Sequence, residues 1–236
     1  SNRTIRLSDG LYVVREQQGK ILSGLRDERH PSHFVVSGDA GQGKSSLLWS
    51  LYTSLRQEED RTTFLLSATW LLDEPGVQAL LTVEEIMRVA ANMATGSTLP
   101  VVLLDTADLL LHHEAQRLKV LELHRGLQEL SVPLVLTVRP READLLASSD
   151  LARIELPPYS DTEADLAVEA LTKSFSPDTQ ALEAVEMVRS AVARGLPIRE
   201  VVRNPLTLRM WFENASPLLP SMEADVTSIY TSYWRT

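Results

Sequence analysis

"SGDAGQGKSS" occupies residues 37–46, after the apolar run Phe34–Val36 and before Leu47–Trp49. Within it Gly38, Asp39, Ala40, Gly41, Gln42, Gly43, Lys44 and Ser45 fit G-x-x-x-x-G-K-[ST] at every position, and Ser46 follows. Each position has a physical job. The glycines let the backbone curl until successive N–H groups point inward as an anion nest. The nest opens a helix whose positive dipole end faces the bound phosphates. Lys44 would reach the β- and γ-phosphates, and the Ser45 hydroxyl would hold Mg²⁺. The bland alternative is a glycine-rich strand-to-helix turn that binds nothing. The context favours nucleotide, because a strand precedes the match and an amphipathic helix follows it, with Leu47, Leu48, Leu51, Tyr52 and Leu55 on one stripe.

Working outward from the loop, strand and helix alternate up to about residue 157. Strands are expected at 33–37, 62–68, 100–105, 132–138 and 152–156, with helices near 43–58, 82–94, 114–130 and 141–148. "VVLLD" and "VPLVLTV" are continuously apolar, as strands covered on both faces should be. Such alternation implies an α/β fold with a parallel sheet and right-handed crossovers. After "LPPYS", residues 156–160, the pattern turns helical, with a capping box in which Ser160 or Asp161 precedes Glu163. Further helices are expected at 178–194, 205–214 and 223–234. The expected division is a nucleotide-binding domain over 1–156 and a helical lid over 157–236.

A phosphate loop needs a carboxylate at the end of a nearby strand. "LPVVLLDTADLLL" supplies Asp105, the natural magnesium-side ligand, and Asp108 three positions on. Asp108 has two readings, as the group that orients or deprotonates the attacking water or as a helix N-cap. A strand and helix intervene between the loop helix and Asp105, which resembles the additional-strand class of P-loop proteins, in which another strand separates the two strand tips in the sheet. The candidate is 132–138, which ends in Thr137 and leads to Arg139. The resulting five-stranded order is 5-1-4-3-2, and Arg139 would sense the γ-phosphate; its alternative is a surface arginine before Pro140.

Composition narrows the field. The chain has 236 residues and a net charge of −9, which argues against a surface built to neutralise many phosphates, so no direct nucleic-acid signal is read. There is no cysteine, which removes disulfide and thiolate metal chemistry. No apolar stretch approaches the ~20 residues of a membrane helix, and no signal peptide is read, so a cytoplasmic protein is expected. His30 and His33 could be taken for a metal pair, but no matched cluster accompanies them.

These residues resemble the STAND class of P-loop NTPases, including the NACHT group, relatives of the AAA+ ATPases. The likeness covers most of the chain. "YVVREQQGKILSGL" (12–25) is similar to the family's adenine-contacting N-terminal segment, "GDAGQGKSSL" to its phosphate loop and "VVLLDTAD" to its acidic strand. "LTVRP" resembles its sensor strand, and "RNPLTLRMW" (203–211) the helical motif whose proline packs on adenine. The resemblance implies that Val14 and Arg15 line the base pocket and that Pro205 closes it. It also implies a regulatory signalling switch that binds ATP or ADP with Mg²⁺, hinged near Pro157, in a larger sensor–effector protein of bacterial defence or regulation. Further domains or protein partners and a nucleotide-dependent oligomer would go with it. The chain departs from the family pattern in two places: Thr106 follows Asp105 where a glycine is usual, and Leu109 follows Asp108 where a water-activating glutamate is expected. Hydrolysis should therefore be slow or absent. A brisk AAA+-type motor is the alternative, though no arginine finger stands out. A small-molecule kinase is a third reading, which lacks an arginine-rich lid. No Asn-Lys-x-Asp guanine signature is present, which tilts the base towards adenine.

Overall fold

Strands apolar on both faces explain the sheet. In a computed structural model, which describes residues 12–27, 32–73, 79–94, 99–147, 149–216 and 218–234, the described residues group into two units. One gathers the residues up to Val14, Gly41–Gly43 and the chain from Pro157; the other holds Arg15–Ala40 and Lys44–Leu156.

The second unit is an α/β sandwich. In chain order it runs α1 (Glu16–Leu25), β1 (Phe34–Ser37), α2 (Lys44–Leu55), β2 (Arg61–Ser67), α3 (Val83–Ala94), β3 (Leu99–Asp105), α4 (Asp108–Leu111), α5 (Glu114–Glu129), β4 (Leu134–Val138), α6 (Pro140–Ala143) and β5 (Ala152–Glu155). The five strands lie in the order β2-β3-β4-β1-β5, and every pairing is parallel. This is the expected order read from the other edge.

Successive side chains of a strand face opposite sides of the sheet. Accordingly Val102 and Leu104 of β3 join Val35, Leu134 and Leu136 in a cluster with Ile86 of α3, Leu110 of α4 and Leu123 and Leu127 of α5. Val101 and Leu103 face the other way, with Val36 and Val135, onto Ile21 and Leu25 of α1 and Leu47, Leu48, Leu51 and Leu55 of α2. The four α2 leucines are fully buried, and burying one such side chain contributes roughly 1.5–3 kcal/mol. The central strands β3 and β4 are buried almost throughout, whereas the edge strands β2 and β5 are only partly covered, as expected for strands with one neighbour.

In the other unit, α7 (Asp161–Phe175), α8 (Ala181–Ala193), α9 (Ile198–Arg203), α10 (Pro205–Ala215) and α11 (Val226–Tyr233) share one apolar core. No strand follows Glu155 among the described residues. Ser160 is the N-cap of α7: its hydroxyl accepts from the Glu163 N–H, and the Glu163 carboxylate accepts from the Ser160 N–H. That reciprocal pair chooses Ser160 over Asp161. Asn204 caps α10, with Oδ1 accepting from Leu206 and Thr207, and Pro205 follows at the first helical position, where a missing N–H costs nothing. The Trp211 indole packs edge-on against Phe212 and donates to Ser221 O at 3.0 Å, so its one polar atom is satisfied.

The expected helix at 141–148 is a single turn, α6, followed by a 3₁₀ turn over Asp144–Leu146. His30, of the histidine pair set aside above, lies outside the described residues. Its partner His33 is buried and stacks edge-on with His124, ring centroids 5.0 Å apart.

Candidate nucleotide site

The sheet's central strands bring the chemistry to one edge. β1 ends at Ser37 and the Gly38 N–H donates to Val138 O, 3.3 Å away at the tip of β4, so the phosphate loop departs beside that strand. Gly41 and Gly43 have φ of +80° and +86°, a region that side-chain-bearing residues rarely occupy. The loop runs into α2, whose first turn carries Lys44, Ser45 and Ser46 and no acidic residue. The helix itself thus sets no carboxylate against its positive end. Gly38 and Gln42 are buried, Asp39, Ala40 and Ser45 are exposed, and Gly41, Gly43, Lys44 and Ser46 lie between these extremes.

The Lys44 ammonium donates to the carbonyl oxygens of Gly38 at 2.5 Å and Asp39 at 3.0 Å. Burial holds it below the usual lysine range, while the Asp108, Asp105 and Asp39 carboxylates pull it back up and the Arg139 guanidinium pushes it down. A part-buried cation resting on backbone carbonyls, with three carboxylates and a guanidinium in its field, can donate instead to phosphate oxygens in exchange for those carbonyls.

Asp105 ends β3 and is held from two sides. The Thr137 hydroxyl donates to its Oδ1 at 2.7 Å, and the Thr106 N–H reaches the same oxygen at 3.0 Å. The Thr106 N–H also donates to Thr137 Oγ1 at 2.8 Å, and the Ala107 N–H to Thr137 O at 2.8 Å. These bonds clip the end of β3 onto β4. They also impose an unusual backbone: Thr106 has φ of +56°, the left-handed region that β-branched residues avoid. Its own hydroxyl donates to Asp105 O at 2.7 Å. Thr137 was legible as part of the sensor strand, but its bond to Asp105 was not.

Asp108 is not an N-cap. Ala107 takes that position and Asp108 is the first residue of α4. Its side chain, 7% exposed, pairs instead with Arg139, Nε to Oδ2 at 3.2 Å, whose side chain is 61% exposed. Among the described residues no group of three or more His, Cys, Asp or Glu could hold a metal ion.

Of the residues expected to line a base pocket, Arg15 belongs to the α/β unit and is 3% exposed, whereas Val14 and Pro205 belong to the helical unit and Val14 is 69% exposed. That same unit includes Gly41 and Gly43. There the Leu206 N–H donates to Gly41 O at 3.2 Å, and a Cβ on Gly43 would lie 3.7 Å from Pro205 Cγ. Among the described residues no helix is long and apolar enough to cross a membrane.

Neither a protein-family model nor a curated protein matches the sequence. Solved structures do. The chain is similar to the ORC1 protein of Aeropyrum pernix in complex with DNA, with a TM-score of 0.61 and 16% identity over 97% of this chain and 68% of that one. It is similar to a Walker-type ATPase of Pyrococcus abyssi (TM-score 0.60, 12% identity, 95% of this chain and 72% of that one). A third is S. cerevisiae Hsp104 complexed with ADP (TM-score 0.60, 13% identity), of which 85% of this chain spans only 30%. The α/β fold is therefore one shared with these structures, a Walker-type ATPase among them. The reading of no direct nucleic-acid signal finds no support in these likenesses, since the Aeropyrum protein is in complex with DNA.

Proposed function

We propose that this chain is the ATP-binding module of a signalling P-loop ATPase of the STAND type, NACHT-like, which holds ATP or ADP with Mg²⁺ and turns it over slowly or not at all. The observation that carries this reading is the convergence of Asp39, Asp105, Asp108 and Arg139 on Lys44, at the head of a helix that follows a glycine-rich turn. Lys44 and the loop N–H groups bind the phosphates, and Ser45 with Asp105 holds the magnesium supplied with the nucleotide. Thr137 keeps the Asp105 carboxylate in position. Arg139 faces the third phosphate, and Val14, Arg15 and Pro205 take the base.

Slow turnover follows from the acids at hand. Asp105 is engaged at the end of its strand by Thr137 and Thr106, and Asp108 is paired with Arg139. With ATP bound, the water-activating glutamate that the resemblance expects after Asp108 is still missing, since Leu109 stands there. Such a module acts by favouring one conformation with ATP and another with ADP, within a longer protein whose other domains sense and respond, and it forms oligomers as the nucleotide changes. Defence or regulation in bacteria fits that design.

A second reading is a remodelling motor that hydrolyses ATP briskly in an oligomer; the fold likeness to Hsp104, solved with ADP, is compatible with either. Steady-state phosphate release by the purified chain separates the two. The switch predicts less than about one turnover per minute, against the roughly 1–10³ per second of typical enzymes. Rapid turnover abolished by Asp108→Asn would replace the switch with the motor.

A further inference from the structure

Asp108 and Arg139 come from different strand tips, one opening α4 after β3 and the other following β4. Their pairing is lopsided, a nearly buried carboxylate holding an exposed guanidinium. Both groups act on the Lys44 ammonium, with opposite signs. The ion pair therefore stands within the field of the cation that is to meet the phosphates.

We propose that Asp108 is a specificity residue which holds Arg139 back, so that the pair distinguishes a nucleoside triphosphate from a diphosphate. The proposal rests on the phosphate-loop reading above. A third phosphate presents oxygens that compete with one carboxylate for the guanidinium, and a fork of N–H donors prefers the more highly charged acceptor. A diphosphate offers no such competitor and leaves the pair closed. Opening it leaves a buried carboxylate without its guanidinium, which is unfavourable, so Asp108 lowers the affinity for the triphosphate. Arg139 raises it. The balance of the two sets how strongly the chain prefers one nucleotide.

The test is a double-mutant cycle on binding, with a non-hydrolysable ATP analogue and ADP, each with Mg²⁺, titrated into the whole chain. Asp108→Asn is nearly isosteric and Arg139 is exposed, and cooperative melting of each variant checks that it folds. Asp108→Asn should raise the ratio of analogue affinity to ADP affinity about three- to fivefold, the scale of one partly exposed ion pair. Arg139→Ala should lower the ratio below that of the unaltered chain, and adding Asp108→Asn to Arg139→Ala should change nothing further. An equal rise from Asp108→Asn in both backgrounds would mean simple charge repulsion and overturn the proposal, as would no rise in either. Failure of the unaltered chain to bind ADP would instead remove the phosphate-loop reading, and this inference with it.

Discussion

Thr137 and Asp105 are joined side chain to side chain, the Thr137 hydroxyl donating to Asp105 Oδ1 at 2.7 Å across the tips of β4 and β3. Thr137 is fully buried, so leaving its hydroxyl bond unmade is costly. Thr137→Val preserves shape and deletes the hydroxyl. Stability to urea should fall by about 1–2 kcal/mol, and the Mg²⁺ dependence of triphosphate binding should shift to higher metal concentration. Thr137→Ser should restore the metal dependence. If Val and Ser behave alike, the hydroxyl does not position Asp105.

Thr106 stores strain. A β-branched residue in the left-handed region costs about 1–2 kcal/mol, and Thr106 offsets part of this through its hydroxyl bond to Asp105 O. Thr106→Gly removes the strain and the bond together, so the melting temperature should hold or rise. Thr106→Val keeps the strain and loses the bond, and should be the least stable of the three. A Gly variant less stable than the Val variant would contradict this account.

Acid stability should depend on His33. Burial, reinforced by repulsion from His124, lowers its pKa from 6.5 to about 4; His124 is lowered by its own burial, with Asp150 opposing. As pH falls below 6.5, the unfolded chain takes the His33 proton first and the folded chain stays neutral. This contribution is thus fully present above about pH 6.5 and is lost progressively down to about pH 4, at up to ~1.4 kcal/mol per pH unit for one proton. Urea midpoints measured from pH 7 to 4 should fall, and His33→Phe should flatten the slope. An unchanged slope would assign the acid sensitivity elsewhere. His33 precedes β1 and the phosphate loop follows it, so nucleotide binding at pH 7 should be unaffected.

The strands were the most legible part of the chain, because runs such as Val101–Leu104 are apolar at every position and can only be covered on both faces. The sheet order was legible too, since a strand and helix between the loop and Asp105 resemble the additional-strand arrangement of P-loop proteins. Less was readable where short-range geometry decides. α4 has four residues and α9 six, too few for a hydrophobic period to show. α1 was not marked as a helix because Gly19, Gly24 and its glutamines dilute the pattern, although Ile21 and Leu25 are buried. At the site, residue types pointed to Lys44, Asp105 and Arg139 as a group. No sequence pattern reports that Asp108 pairs with Arg139, or that Thr106 adopts a positive φ, because both depend on how two strand ends meet.

The central claim is that Lys44 binds nucleotide phosphates, and calorimetric titration of ADP and a non-hydrolysable ATP analogue into the unaltered chain and Lys44→Ala tests it most directly. The account predicts binding by the unaltered chain and a loss of roughly ten- to a hundredfold in Lys44→Ala, the scale of a charge-assisted contact, with melting behaviour retained. Equal affinity in the two proteins, or none in the unaltered chain, would contradict it.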